Sequence, residues 1–192
     1  MKIILASASP RRRELMKFIT SDFEAVSLDC DETLPKDTLP MEASSVLAER
    51  KAAAAAERYP DCVVIGCDTT VIAGGDILGK PHDRAECLKF MEMLSGNTHY
   101  VVTSCCLFYK GRKECFSSVT DVTFRKLSQA ETEAYADTDE PYDKAGGYGI
   151  QGIAGDFIDS IDGDFFNVVG LPVAQLFNEL KNFLRNIKGE KI

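Results

Sequence analysis

An alanine-rich stretch, Met41 to Arg58, passes through Tyr59-Pro60 directly into the apolar run Cys62-Val63-Val64-Ile65-Gly66-Cys67, which continues to Ile72. No other feature constrains the fold as tightly. Alanine is the strongest helix former, and the proline stops the helix. The run that follows lacks the apolar/polar alternation of a strand with one wet face, so it reads as a buried strand. A helix handed straight to a buried strand calls for a sheet covered by helices.

The rest of the chain repeats this alternation. Lys2 to Ala6 reads as a short buried strand. From Arg11 the spacing of Leu15, Phe18 and Ile19 is helical, and Glu24 to Leu28 reads as a second strand. Ala73-Gly74-Gly75-Asp76 is a hairpin turn into Ile77-Leu78. Asp83 to Leu94 is helical and ends at Ser95-Gly96-Asn97. Two long strands, Thr98 to Tyr109 and Glu114 to Phe124, flank a Lys110-Gly111-Arg112-Lys113 turn. Leu127 to Ala136 is a helix capped by Ser128 or a neighbour. Gly146 to Gly155 holds five glycines, Phe157 to Ile161 reads as a strand, and Pro172 opens a last helix to about Ile187. Interleaved strands and helices with one long hairpin predict an α/β fold: a mixed central sheet flanked by helices. No repeat or linker divides residues 1–192, so a single domain is expected.

Charge narrows the function. Thirty acidic residues against 22 basic ones give a net charge of -8, which disfavours nucleic acid polymers and anionic membranes as partners. A local basic cluster can still receive a small anion. No run approaches the roughly 20 apolar residues of a membrane span. The apolar start is shorter than the roughly 7–15 residues of a signal-peptide core, so a cytoplasmic location is expected.

Seven cysteines, an odd number without a C-x-x-C spacing, read as reduced thiols serving as small core residues. The two histidines, His82 and His99, fall in no ligand spacing, and no G-x-S-x-G elbow is present. Any metal here is expected to be a hard cation held by carboxylates.

Three groups of residues carry chemistry. Ser7-Ala8-Ser9-Pro10-Arg11-Arg12-Arg13 lies between a strand and a helix, where hydroxyls, free amides and guanidinium forks favour a phosphate. The same residues also suit a plain N-cap with a solvated basic turn. Asp68 ends the buried strand, Glu32 lies in an acidic loop, Lys51 sits on the alanine-rich helix and Lys80 in the Gly79-Lys80-Pro81 turn. Each is ordinary alone, and their interest depends on folding together. Asp143-Lys144-Ala145-Gly146-Gly147-Tyr148-Gly149-Ile150-Gln151-Gly152 allows close backbone approach to a ligand and presents Gln151 between glycines.

These segments, with Gly66-Cys67-Asp68-Thr69, Gly79-Lys80-Pro81 and Gly163-Asp164 … Gly170-Leu171-Pro172, stand in the order seen in the Maf family, and the resemblance covers essentially the whole chain. It implies an elongated two-lobed fold similar to that of inosine triphosphatase (a Maf/Ham1-like fold). It also implies hydrolysis of a nucleoside triphosphate to the monophosphate and pyrophosphate by a cytoplasmic homodimer using a divalent cation, Mg²⁺ with Mn²⁺ or Co²⁺ as alternatives. By the same resemblance Asp68 is the proton acceptor and Arg12, Thr69 and Gln151 are specificity positions. Ser7, Arg11, Arg12, Glu32, Lys51 and Lys80 handle phosphate and metal, with Glu32 and Asp68 as ligands. Cys67 stands where alanine is usual and Thr70 where valine is usual.

A carboxamide accepts from the N3–H of uracil or thymine and donates to a flanking carbonyl, so Gln151 points to the dTTP/UTP branch. Glutamate there would instead suit guanine, as in the 7-methyl-GTP branch. The alternatives are a non-catalytic nucleotide-binding regulator of septum formation and a 7-methyl-GTP pyrophosphatase.

Overall fold

The computed structural model describes residues 1–189 of the 192; the end of the expected domain, 190–192, lies outside the described residues. In chain order the elements are β1 (Ile3–Ala6), α1 (Pro10–Met16), β2 (Phe23–Val26), α2 (Ala43–Arg58), β3 (Val63–Ala73), β4 (Asp76–Leu78), α3 (Arg84–Leu94), β5 (Thr98–Tyr109), β6 (Arg112–Phe124), α4 (Gln129–Ala136), β7 (Ile158–Asp162), α5 (Phe165–Val169) and α6 (Val173–Lys188). The strands form one sheet in the order β2-β1-β3-β5-β6-β7, with β4 paired to β3. β1 runs parallel to β2 and β3, and every other pairing is antiparallel, so the sheet is mixed as expected.

Helices cover both faces of the β1–β3–β5 region. On one face α2 lays Ala48, Ala52 and Ala55, spaced four and three residues apart, against Ile4, Val64 and Cys106. On the other, α6 inserts Leu176, Leu180 and Phe183 among Leu5, Ile65, Cys67 and Leu107. Further along β3, α3 and α4 close a separate cluster in which Phe90, Met91 and Leu94 meet Val71, Val101, Phe124 and Phe157.

α2 lies unusually close to the sheet because β3 carries Gly66 where the helix crosses it. A Cβ built there would fall 2.3 Å from the Ala48 carbonyl oxygen and 2.5 Å from the Ala52 nitrogen. Alanines on the helix and glycine on the strand are therefore two halves of one contact.

Several expectations are corrected. The first helix ends at Met16 rather than running through Ile19. Lys17, Phe18 and Ile19 donate to carbonyls three residues back, tightening the chain off the helix and leaving Phe18 70% exposed. The long hairpin turns on two residues, Lys110 and Gly111, both with positive φ, and Arg112 and Lys113 already belong to β6. The short helix α5 was not anticipated.

Nor are all the thiols free. Cys106 and Cys115 stand opposite each other across β5 and β6 with Cα atoms 4.1 Å apart, and a disulfide joins them. Register across a hairpin brings them together, which a count of cysteines does not reveal.

Candidate active site

The end of β1 creates the site. Its pairing with β3 stops at Ala6 opposite Gly66, and β4 takes up the same edge of β3 only at Val71. Residues 67–70 thus have a ladder partner only on the β5 side. A cleft of about 1260 Å³ opens along this free edge, reached by Ser7, Arg11, Lys51, Lys80 and Gln151.

Successive strand residues point to opposite faces, so Asp68 and Thr69 serve two sides of this edge. Asp68 points with Gly66 toward α2, where Lys51 Nζ lies 2.6 Å from its Oδ1. The same ammonium lies 2.8 Å from Oε1 of Glu32. Lys51 and Asp68 are largely buried, while Glu32 is mostly exposed. Burial pulls the Lys51 ammonium down, but Asp68 and Glu32 outweigh it, and its pKa lies above the ordinary lysine value. The Glu32 carboxyl lies below its ordinary value, chiefly because Lys51 donates to it. Two carboxylates therefore converge on one cation, with Oδ2 of Asp68 left over.

On the other side, Thr69 meets Arg12. The Arg12 side chain donates from Nε to the Gly170 carbonyl (2.8 Å), from Nη1 to the Cys67 carbonyl (3.0 Å) and Ser7 Oγ (3.4 Å), and from Nη2 to Thr69 Oγ1 (2.8 Å). Arg12 thus ties the β1–α1 turn to the free edge of β3 and to the end of α5. Ser9 caps α1 and accepts from the Arg12 amide. Arg11 is the freer guanidinium, with only a 3.8 Å approach to Asp143. Lys80 is exposed along the cleft wall.

Gln151 is exposed on the glycine-rich loop, which Glu140 holds in place. Oε2 of Glu140 accepts from the Ile153 amide (2.7 Å), and Oε1 accepts from the Ala154 amide (3.3 Å) and the Tyr135 hydroxyl (3.2 Å). A Cβ at Gly152 would fall 2.3 Å from that carboxylate, which explains a glycine beside Gln151. Glu140 carried no signal of its own in the sequence. Its two amide partners lie 13 and 14 residues downstream.

The profile of the Maf-like protein family matches residues 2–183. The chain belongs to the Maf family. It is 46% identical over 187 residues to the dTTP/UTP pyrophosphatase of Bacillus velezensis, covering 97% of this chain and 98% of that one. It is 44% identical over 182 residues to the dTTP/UTP pyrophosphatase of Bacillus cytotoxicus, with 95% of each covered. Among solved structures, a HAM1 protein from Coxiella burnetii superposes with a TM-score of 0.54 at 14% identity, over 97% of this chain and 99% of that one. That likeness concerns the fold, and it agrees with the Ham1-like architecture expected from the motifs.

For this Maf family member, every residue singled out in the sequence reaches one cleft. Ser7, Arg11, Arg12, Glu32, Lys51, Asp68, Thr69, Lys80 and Gln151 all line it. They divide into an Asp68–Lys51–Glu32 cluster and an Arg12–Thr69 pair, a division set by strand alternation.

Proposed function

We propose that this chain hydrolyses dTTP and UTP to the monophosphate and pyrophosphate. The observation that carries the reading is the Asp68–Lys51–Glu32 cluster at an open strand edge, facing the basic Ser7–Arg11 turn across the cleft. The names of the Bacillus relatives support the choice of substrate.

In this mechanism Asp68 orients a water toward the α-phosphorus and takes its proton through Oδ2, the oxygen not engaged by Lys51. Lys51, Lys80 and Arg11 stabilise the charge that grows on the phosphate oxygens and the departing pyrophosphate. Ser7 Oγ accepts from Arg12 and the Ser9 amide, which leaves its proton for a phosphate oxygen.

Glu32 and Asp68 suit a hard cation, because they already share one in Lys51, and Mg²⁺ is commonly held by one or two carboxylates plus substrate phosphates. Among the described residues no group of three or more acidic, histidine or cysteine side chains forms a metal cage, consistent with that shared mode. The cation, Mg²⁺ with Mn²⁺ or Co²⁺ as alternatives, would neutralise phosphate charge when bound.

The chain is read as one two-lobed domain with the cleft between the lobes, acting as a cytoplasmic homodimer. Among the described residues no helix is long and apolar enough to cross a membrane.

The test is product analysis with Mg²⁺ and, separately, dTTP, UTP, CTP, GTP and 7-methyl-GTP. Pyrophosphate with dTMP or UMP, and little product from the others, is expected. Preference for a purine would overturn the substrate assignment, and binding without turnover would favour a regulator.

A further inference from the structure

Thr69 sits at the head of a hydrogen-bonded chain that runs away from the cleft into the protein. Its Oγ1 lies 2.9 Å from Thr103 Oγ1. Thr103 Oγ1 in turn lies 2.9 Å from the backbone carbonyl of Asn167, which can only accept. The single hydroxyl proton of Thr103 is therefore spent on Asn167. It follows that Thr69 donates to Thr103, and that Thr69 accepts from Arg12 Nη2 at 2.8 Å. The polarity of the whole chain is fixed: Arg12 to Thr69 to Thr103 to Asn167.

The anchor is rigid. Asn167 is fully buried, and its side chain is saturated. Its Oδ1 accepts from the Thr103 amide (3.0 Å), and its Nδ2 donates to the Val101 carbonyl and to Thr120 Oγ1 (both 2.9 Å). Thr103 is likewise fully buried. Neither residue lines the cleft, yet together they decide what Thr69 can offer there.

With its proton committed inward and one lone pair taken by Arg12, Thr69 presents only a lone pair to a ligand. Arg12 has five N–H groups, of which four are used within the protein, leaving one on Nη2 beside Thr69. The pair thus offers a donor next to a fixed acceptor. The imide edge of uracil and thymine presents the complement, a carbonyl beside N3–H. Cytosine has a bare acceptor at N3 and would set lone pair against lone pair. With N3–H taken by Thr69, the Gln151 carboxamide is left for the carbonyl on the other flank.

We propose that Thr103 and Asn167 are positioning residues for base selection: they lock Thr69 as a hydrogen-bond acceptor, so that the cleft selects pyrimidines carrying N3–H over cytosine. This rests on the pyrimidine triphosphate reading and deepens it.

The experiment compares wild type, Thr103→Val and Thr103→Ser for kcat and KM with UTP and CTP. Calorimetric affinities for the same two nucleotides and a melting curve for each variant accompany the kinetics. In Thr103→Val the Thr69 proton is released and can turn toward the cleft. The UTP:CTP ratio of kcat/KM is expected to fall about tenfold, chiefly through a raised KM for UTP. Thr103→Ser, which keeps the hydroxyl, should retain the wild-type ratio.

An unchanged ratio in folded Thr103→Val would overturn the proposal, as would equal losses for both nucleotides, which mark a merely structural role. If wild type hydrolyses neither nucleotide, the catalytic reading fails by itself, and the ratio of calorimetric affinities still decides the role of Thr103. A shift in discrimination between UTP and its 3′-deoxy analogue, with the UTP:CTP ratio unmoved, would place the sugar at Thr69 and also overturn the proposal.

Discussion

Lys51 lies 2.6 Å from Asp68 because the adjacent helix residue, Ala52, rests on the backbone of Gly66 two residues earlier in the strand. Helix and strand touch through their smallest residues, and the ammonium is thereby lowered onto the carboxylate. The catalytic cluster is thus a consequence of packing, and its geometry is tied to the core of α2 against β3.

That coupling gives a direct expectation for Gly66→Val. The new side chain would meet the Ala48 carbonyl and the Ala52 backbone nitrogen, neither of which can swing aside. Overpacking of this kind costs on the order of 1–3 kcal/mol or more. Chemical denaturation should show that loss, and turnover should fall further than the unfolded fraction explains, because α2 must lift Lys51 from Asp68.

Removing the base should separate chemistry from folding. Asp68→Asn keeps the shape of the side chain and one hydrogen-bond acceptor for Lys51. Turnover is expected to drop by several powers of ten with the melting temperature little changed. Near wild-type turnover in steady-state assays would take Asp68 out of the proton-accepting role.

His99 sets part of the stability at low pH. It is buried against Phe124 and Tyr148, with Nε2 2.7 Å from the Tyr148 hydroxyl and Nδ1 without a partner. Burial lowers its pKa to about 4 from an ordinary 6.5. Between those values the unfolded chain binds a proton that the folded one refuses. The His99 contribution is therefore intact above pH 6.5 and is lost progressively as the pH falls toward 4. His99→Gln cannot titrate and can still accept from Tyr148. The stability difference between pH 7 and pH 5, measured by denaturant titration, should be about 2 kcal/mol smaller in the variant than in wild type.

Much of this was legible in the sequence where periodicity and punctuation agree. The alanine-rich helix, the run from Cys62 and the Gly74-Gly75 turn all fall within a residue or two of their expected limits. The residues of the cleft were legible through their order along the chain. What stayed hidden depends on contacts across long separations. Glu140 reaches amides of the glycine loop, Thr103 reaches Asn167 64 residues away, and Cys106 meets Cys115 only through hairpin register. The early end of α1 was hidden too, because Phe18 keeps helical spacing on a segment that has already left the helix.

The central claim is that water, prepared by Asp68, attacks the α-phosphorus. Hydrolysis of dTTP in ¹⁸O-labelled water, with mass analysis of both products, tests it most directly. The account predicts one labelled oxygen in dTMP and none in pyrophosphate. Label in pyrophosphate, or release of labelled orthophosphate, would place the attack on another phosphorus and contradict it.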